Sequence, residues 1–220
     1  MDKSRQEYYA LIEEKLYTAV LADIMDSLGY PHQIVHHEIR PLYPEAKVAG
    51  RAATMLTADV YQIPENPYKL ELALLDDIKP GEVVMCATRG STRAALWGEL
   101  LSTHTKAKGG RGAIIDGLTR DAAKTIQMKF PVFAMGMSPA DSRGRIEVIA
   151  IRVPVEMGGV LVNDGDLIMA DFDGCVVVPQ LVEDQVIKQA LNKVSQENIV
   201  REILSKGASI QQVFKEYGVL

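Results

Sequence analysis

Long apolar runs and cysteines are scarce in this sequence. No stretch approaches the roughly 18 consecutive apolar residues of a membrane-spanning helix, and the polar N-terminus lacks the apolar core of a signal peptide. The two cysteines, Cys86 and Cys175, both lie in apolar runs, where a cysteine acts as a small buried hydrophobic residue. We therefore expect a cytosolic protein with reduced cysteines and no membrane partner.

Neither sign of charge dominates the chain. Its 220 residues include 29 acidic and 24 basic residues, which gives a net charge of −5. This balance argues against broad binding to nucleic acid, because such binding requires a basic face. The apolar content is high enough to exclude disorder. No repeat, low-complexity tract or Ser/Gly-rich linker divides the sequence, so residues 1–220 are predicted to form one domain.

The middle of the chain alternates between two kinds of pattern. Compact apolar runs predict buried strands at residues 82–87, 112–116 and 132–135. Helical patterns lie between them, at residues 94–108 and 119–129. Strand, helix, strand, helix, strand is the order of parallel βαβ units.

The ends of the chain are predicted to differ from the middle. A helical pattern covers residues 4–28, in which Thr18 is a candidate N-cap. Short β runs follow Ser138 and are separated by Gly-Gly and Asp-Gly turns. A long helix is predicted for residues 179–206, and a last short helix follows Ser209. The fold class is therefore mixed α/β, with a partly parallel core, a β-rich segment and terminal helices.

Two short blocks carry the residues best suited to chemistry. One is Trp97-Gly98-Glu99-Leu100-Leu101, and the other is Asp116-Gly117-Leu118-Thr119-Arg120-Asp121. The second block directly follows a predicted strand, and α/β sheets bind ligands beyond the carboxyl ends of their strands. A guanidinium beside a carboxylate suits a substrate that carries both a carboxylate and a polarised oxygen. Alternatively, Asp121 is a helix N-terminal charge, worth roughly 0.3–1 kcal/mol.

These blocks belong to a larger set of segments whose order and spacing are specific. The others are residues 18–29, 131–136, 158–166 and 170–179. Together they resemble the RraA-like family, which includes the 4-hydroxy-4-methyl-2-oxoglutarate aldolases, over nearly the whole chain. The resemblance implies a three-layer swivelling β/β/α domain with a mixed sheet and terminal helices. It also implies a homotrimer or a hexamer built as a dimer of trimers.

The resemblance implies specific roles for the two blocks. Aldolases of the family share an acidic residue, then 20 residues, then Arg-Asp, and Glu99 with Arg120-Asp121 has this spacing. Asp121 and several waters would hold Mg²⁺ or Mn²⁺, because hard cations accept oxygen ligands and keep much of their water. Arg120 would face the keto oxygen of a 2-oxo acid that chelates the metal, and Arg120 and metal together would stabilise a pyruvate enolate.

The remaining implied roles concern substrate binding and proton transfer. Backbone N–H groups at a helix start would hold the substrate carboxylate, and these belong to Gly98, Glu99, Leu100 and Leu101. A water positioned by Glu99 would deprotonate the 4-hydroxyl group. Oxaloacetate decarboxylation passes through the same enolate and is an expected second activity. The reaction class is thus a metal-dependent carbon–carbon lyase that acts on a small 2-oxo acid.

Several alternatives stay open. Helix-dipole stabilisation explains Glu99 as well as catalysis does, and Asp116 is better interpreted as a turn cap than as a metal ligand. A non-catalytic regulator of a ribonuclease is the alternative function, although such family members tend to lack the Asp that Asp121 represents here. Another lyase or hydratase on the same scaffold is a further alternative. A neighbouring subunit could also supply an acidic residue from the region of Gln196-Glu197.

Other polar clusters are interpreted as structural. Turn chemistry explains a group of four aspartates between residues 164 and 173, because an EF-hand calcium loop needs a different spacing. No matching Cys or His group completes a metal site with the three histidines between residues 32 and 37. Residues 109–112 precede a predicted strand rather than follow one, so they are not a dinucleotide-binding fingerprint.

Overall fold

The computed structural model describes residues 3–218 and confirms the mixed α/β class. Its helices are α1 Lys3–Lys15, α2 Thr18–Ser27, α3 Lys69–Asp77, α4 Glu99–Ala107, α5 Ala122–Gln127, α6 Glu183–Ser205 and α7 Ile210–Tyr217. Its strands are β1 Arg40–Pro41, β2 Val48–Asp59, β3 Glu82–Ala87, β4 Ala95–Trp97, β5 Gly112–Thr119, β6 Val132–Met137, β7 Ile146–Ile151, β8 Val155–Met157, β9 Val160–Val162, β10 Leu167–Asp171 and β11 Gly174–Val178.

A nine-stranded mixed sheet forms the centre of the fold. Its main path runs β1-β6-β5-β3-β2-β10-β11, while β4 pairs with β5 and β7 pairs with β2. Strands β2, β3, β5 and β6 are mutually parallel along this path. The predicted parallel βαβ units are therefore confirmed. Strands β8 and β9 form a separate antiparallel hairpin.

Strand β3 shows how the sheet buries both of its faces. Val83 and Met85 belong to one hydrophobic cluster, and Val84 and Cys86 belong to another. Because successive side chains of a strand point to opposite faces, a continuous apolar run indicates burial on both sides. The β8–β9 hairpin contributes to the first cluster and helix α3 to the second. A third cluster lies under α1, α2 and α6.

Two predicted helices of the central region begin too early. Residues 95–97 form strand β4 instead of a helical turn, and α4 begins at Glu99. Strand β5 continues to Thr119, so α5 begins only at Ala122. The physical reason is that β4 pairs in parallel with the last part of β5. Residues 95–97 are apolar and buried, and this burial in the sheet overrides the helical periodicity.

The predicted terminal helices are also corrected. The helix predicted at residues 4–28 is two helices, with a break at Leu16 and Tyr17. Tyr17, and not Thr18, occupies the N-cap of α2. Thr18 instead donates from its backbone N–H and its hydroxyl to the carboxylate of Asp171, at 2.8 and 2.6 Å. The long helix begins at Glu183, after the turn at 179–182.

Two expectations about composition can be compared with the structure. Cys86 and Cys175 are both buried and free, as predicted. Within residues 3–218, no helix is both long and apolar enough to cross a membrane.

Candidate active site

The two blocks singled out in the sequence meet where β4 and β5 end side by side. The backbone N–H of Arg120 donates to the carbonyl oxygen of Trp97 at 2.8 Å. The hydroxyl of Thr119 donates to the same oxygen at 3.0 Å. Helix α4 begins directly after Trp97, so this pairing places its N-terminus against Arg120 and Asp121.

Gly98 is the N-cap of α4 and is buried beneath the Arg120–Asp121 pair. A Cβ atom at this position would lie 2.9 Å from Oδ2 of Asp121 and 3.1 Å from Cγ of Arg120. Its backbone is extended, with φ −160°, so conformation alone does not require glycine. The lack of a side chain is required because the side chains of Arg120 and Asp121 occupy that space.

Replacement of Gly98 by alanine should therefore damage the site more than the fold. We expect Gly98→Ala to lower kcat/KM by about 10²-fold for the 2-oxo acid cleavage that the family resemblance implies. The reason is that the added methyl group displaces Asp121 and Arg120. Circular dichroism and thermal unfolding should show a folded protein. Gly136→Ala on β6 is the matched control, since its Cβ would contact only Cδ2 of Leu118, at 3.2 Å. Equal activities of the two variants would contradict this role for Gly98.

Asp121 is held in a backbone conformation that few residues adopt. It is the N-cap of α5 with φ 55° and ψ 28°, in the left-handed region, where Asn and Asp are the commonest non-glycine residues. One oxygen, Oδ2, accepts from the backbone N–H of Glu99 at 3.4 Å and lies 3.6 Å from Nε of Arg120. The side chain is 42% exposed. It therefore presents a carboxylate to incoming solutes.

A hydrogen-bonded chain holds Arg120. Its Nη1 donates to Oδ1 of Asp141 at 2.8 Å, and the hydroxyl of Tyr68 donates to Oδ2 of the same carboxylate at 2.8 Å. Burial raises the pKa of Asp141, but the Tyr68 hydrogen bond and the Arg120 charge bring that pKa below its ordinary value. Burial and the bond to Asp141 raise the pKa of Tyr68 to about 12. Asp141 is thus ionised and Tyr68 neutral near pH 7.

These groups share a cavity of about 250 Å³. Its lining residues are Tyr68, Glu71, Leu72, Ala95, Leu96, Gly98, Leu100, Leu101, Arg120, Asp121, Asp141 and Ser142. Glu71 is only 4% exposed. Burial, together with the charges of Glu147 and Asp141, raises its pKa to about 8. A neutral carboxylic acid therefore faces the same space as the charged groups.

Of the four residues predicted for substrate binding in the first block, three line the cavity and one does not. Gly98, Leu100 and Leu101 line the cavity, and Leu100 is 73% exposed. Glu99 is absent from the lining, because its Oε1 accepts from the hydroxyl of Thr103 along the helix at 2.9 Å. Its backbone N–H donates to Asp121. The geometry thus brings the backbone of Glu99 to the site and turns its side chain away.

The donor set fits a hard divalent cation. The accessible carboxylate of Asp121 offers oxygen atoms of the kind that such a cation binds. Within the described part of the chain, no cluster of three or more His, Cys, Asp or Glu residues forms a ready metal cage. Soft metals and fully caged ions are disfavoured by such a site. Mg²⁺ and Mn²⁺ suit it because they bind through few carboxylates and retain water.

Other polar residues take structural roles. Asp116 lies inside β5, and its carboxylate accepts from the backbone N–H groups of Thr88 and Arg89. It is therefore a cap, but of a neighbouring loop and not of its own turn. Turn chemistry accounts for much of the aspartate cluster too: Asp166 accepts from the N–H of Asn163 at 2.8 Å, and Asp171 accepts from the N–H of Asp173 at 3.0 Å.

Glu71, Tyr68 and Asp141 are functional candidates that the sequence analysis missed. For Glu71 a signal was available, since Glu71, Leu74, Leu75 and Ile78 follow the spacing of one buried helix face. A carboxylate on such a face is unusual and points to a special environment. Tyr68 and Asp141 offered no comparable local pattern, because only the tertiary fold brings them beside Arg120.

The chain matches a known protein family. The family model described as RraA-like, Aldolase/RraA, matches residues 18–177. The chain belongs to this family. A Halalkalibacterium halodurans protein provisionally named 4-hydroxy-4-methyl-2-oxoglutarate aldolase is 29% identical over 176 residues, which cover 80% of this chain and 79% of that protein.

Solved structures show the same fold. An uncharacterized protein from Pseudomonas syringae pv. tomato superposes with a TM-score of 0.83 at 28% identity, covering 94% of this chain and 96% of that one. Streptomyces coelicolor RraAS2, described as an unusual member of the RNase ES inhibitor RraA protein family, has a TM-score of 0.81 at 29% identity. That match covers 89% of this chain and 97% of that one.

Proposed function

We propose that the protein is a divalent-metal-dependent class II pyruvate aldolase. Its substrate would be a 4-hydroxy-2-oxo acid of the 4-hydroxy-4-methyl-2-oxoglutarate type, and oxaloacetate decarboxylation would be a second activity. The observation that carries the proposal is the convergence of Arg120, Asp121 and the N-terminus of α4 on one cavity. The aldolase names of related proteins support the same reaction class.

Each group has a task in that reaction. Asp121 would hold Mg²⁺ or Mn²⁺, which when bound supplies Lewis-acid polarisation of the keto oxygen. Backbone N–H groups of Gly98, Glu99, Leu100 and Leu101 would bind the substrate carboxylate, in keeping with the affinity of helix N-termini for anions. The guanidinium of Arg120 would stabilise negative charge on the keto oxygen as the C3–C4 bond breaks.

Proton removal from the 4-hydroxyl group requires a base. We assign this step to a water molecule near Glu99 and Asp121. The side chain of Glu99 contacts Thr103 in the structure, so its participation would require a rotation about its side-chain bonds. The neutral Glu71 and Tyr68 cannot serve as bases near pH 7 in these states.

The decisive experiment measures pyruvate release. We expect the purified protein to form pyruvate from 4-hydroxy-4-methyl-2-oxoglutarate and from oxaloacetate in the presence of Mg²⁺ or Mn²⁺, and to lose this activity in EDTA. Re-addition of the metal should restore it. Folded protein that releases no pyruvate from either substrate with either metal would contradict the proposal. A panel of other 2-oxo and sugar acids would then test for another lyase or hydratase on this scaffold.

A second candidate function is regulation of a ribonuclease by protein contact. The structural similarity to RraAS2 favours it. The Arg120–Asp121 pair, with its cavity, instead favours catalysis. Direct binding of a purified ribonuclease, without turnover of any acid, would favour the regulator.

We also propose that the protein assembles as a homotrimer or as a hexamer. Light scattering measures the molar mass in solution and so distinguishes the two.

A further inference from the structure

Glu71 is a buried carboxylic acid that the roles assigned above leave unused. It lies in the first turn of α3 with 4% exposure and lines the cavity that holds Arg120 and Asp121. Among the hydrogen bonds of the described residues, none involves its side chain, so it offers a free donor and acceptor to the cavity. Neither carboxyl oxygen of Glu71 is among the fully buried polar atoms without a partner in the described residues. The oxygens are therefore accessible from the cavity, where they can contact a ligand.

We propose that Glu71 is a catalytic acid that delivers a proton to C3 of the pyruvate enolate. This inference rests on the proposed aldolase function and adds the missing proton donor. Neighbouring groups are less suited to the task. Asp141 is ionised, Arg120 does not release its proton near neutrality, and the proton of Tyr68 is engaged with Asp141. Glu71 is the lining residue whose acid strength matches proton transfer near neutral pH.

The proton balance of the reaction is closed by solvent. The base takes the proton of the 4-hydroxyl group, the C3–C4 bond breaks, and its electron pair forms the C2=C3 double bond of the enolate. Glu71 then gives its proton to C3, and the carbonyl at C2 is restored. Solvent receives the proton held by the base and returns one to the Glu71 carboxylate. In oxaloacetate decarboxylation, carbon dioxide leaves and the same protonation follows.

The surroundings of Glu71 favour its neutral form. Burial has the largest effect, and the carboxylates of Glu147 on β7 and Asp141 before β7 act in the same direction. Arg120 opposes them. The thiol of Cys86 on β3 also faces Glu71, but burial raises its pKa well above the ordinary value, so it adds no charge. The resulting pKa of about 8 leaves Glu71 mostly protonated at pH 7.

The sign of the pH dependence follows from these states. Cleavage requires neutral Glu71, so its rate should fall as the pH rises through about 8. The reverse proton transfer, from the methyl group of pyruvate, requires the carboxylate, so its rate should rise through the same pH. Deuterium exchange into the pyruvate methyl group in D₂O, followed by proton NMR with Mg²⁺ present, measures this reverse step. If the cleavage rate falls and the exchange rate rises through the same pH, one shared group carries out both proton transfers.

The main test compares wild type with Glu71→Gln, which replaces a neutral acid by a neutral amide of similar shape. We expect both cleavage and methyl exchange to fall by roughly 10²–10⁴-fold. Glu71→Asp keeps the acid on a shorter side chain and should restore part of both rates. Glu156→Gln, at an exposed position outside this cavity, is the matched control and should leave both rates unchanged.

A measurement on the metal-free protein provides an independent readout. Infrared difference spectra between pH 7 and pH 10 should show a protonated carboxylic acid that ionises near pH 8. That band should be missing in Glu71→Gln. If this variant does not fold, the wild-type spectra and the opposite pH limbs still test the proposal.

The outcomes separate this inference from the proposed function. Wild type that cleaves substrate, with Glu71→Gln retaining cleavage or methyl exchange, would overturn the role of Glu71 and leave the aldolase function intact. Wild type without cleavage or exchange under any metal condition would overturn the aldolase function itself. Loss of both reactions in Glu71→Gln, with the infrared band assigned to Glu71, would support the proposal.

Discussion

Replacement of Asp121 by asparagine should abolish metal binding and lower kcat/KM by roughly 10³-fold, because the side chain proposed to hold the ion loses its charge. Asparagine is the appropriate substitute at φ 55°, since it tolerates the left-handed region. Alanine at the same position would add a backbone cost of roughly 1–2 kcal/mol. Asp121→Ala should therefore lose activity and some stability, whereas Asp121→Asn should lose activity alone.

Titration with Mn²⁺, followed by calorimetry or electron paramagnetic resonance, checks the metal directly. Asp173→Asn is the matched control, because Asp173 lies exposed in a turn outside the cavity. It should bind Mn²⁺ and turn over substrate as wild type does. Undiminished Mn²⁺ affinity and full activity in Asp121→Asn would rule out Asp121 as the metal ligand.

Replacement of Arg120 by lysine should have a different signature. We expect kcat/KM to fall by about 10²–10³-fold, while Mn²⁺ affinity stays near the wild-type value. Arginine presents a planar fork of donors, which allows it to bind Asp141 and still face a substrate oxygen, whereas lysine is a single mobile charge. The hydrogen bond of 2.8 Å from Nη1 to Asp141 fixes the plane of that fork.

Steady-state kinetics and Mn²⁺ titration of Arg120→Lys, run in parallel, separate the two effects. Arg201→Lys on the exposed face of α6 is the matched control and should be neutral. Full activity in Arg120→Lys would show that a positive charge alone suffices, which would contradict the proposed orientation. Loss of Mn²⁺ binding would instead assign Arg120 to the structure of the metal site.

The fold class was predictable because the parallel strands are apolar on both faces. Residues 82–87, for example, form β3, at the predicted bounds. Helix starts were harder to place, since residues 95–97 are apolar in both a helical and a strand interpretation. Only pairing with Leu118 and Thr119 of β5 selects the strand. Periodicity within one segment contains no information about such a partner.

The candidate site was also only partly predictable from the sequence. Gly98, Arg120 and Asp121 were predicted as site residues because their blocks resemble the RraA-like family, and the structure brings them together. Glu71 and Asp141 belong to distant elements, and their contribution depends on packing between α3, β7 and the loop after β6. The charges of Glu147 and Asp141 act across this packing and raise the pKa of Glu71. No local sequence pattern indicates such a shift.

The carbonyl oxygen of Trp97, shared by Thr119 and Arg120, has a consequence for how the candidate site could change in evolution. This oxygen links the β4–α4 turn to the β5–α5 turn. The N-terminus of α4 and the Arg120–Asp121 pair therefore lie within one continuous stretch, residues 95–121. Tyr68, Glu71 and Asp141 enter the cavity from outside that stretch. The proposed catalytic groups thus come from two parts of the chain, Arg120 and Asp121 from this stretch and Glu71 from α3. Substitutions at the outer positions should therefore change proton delivery to the cavity while the Arg120–Asp121 pair is retained.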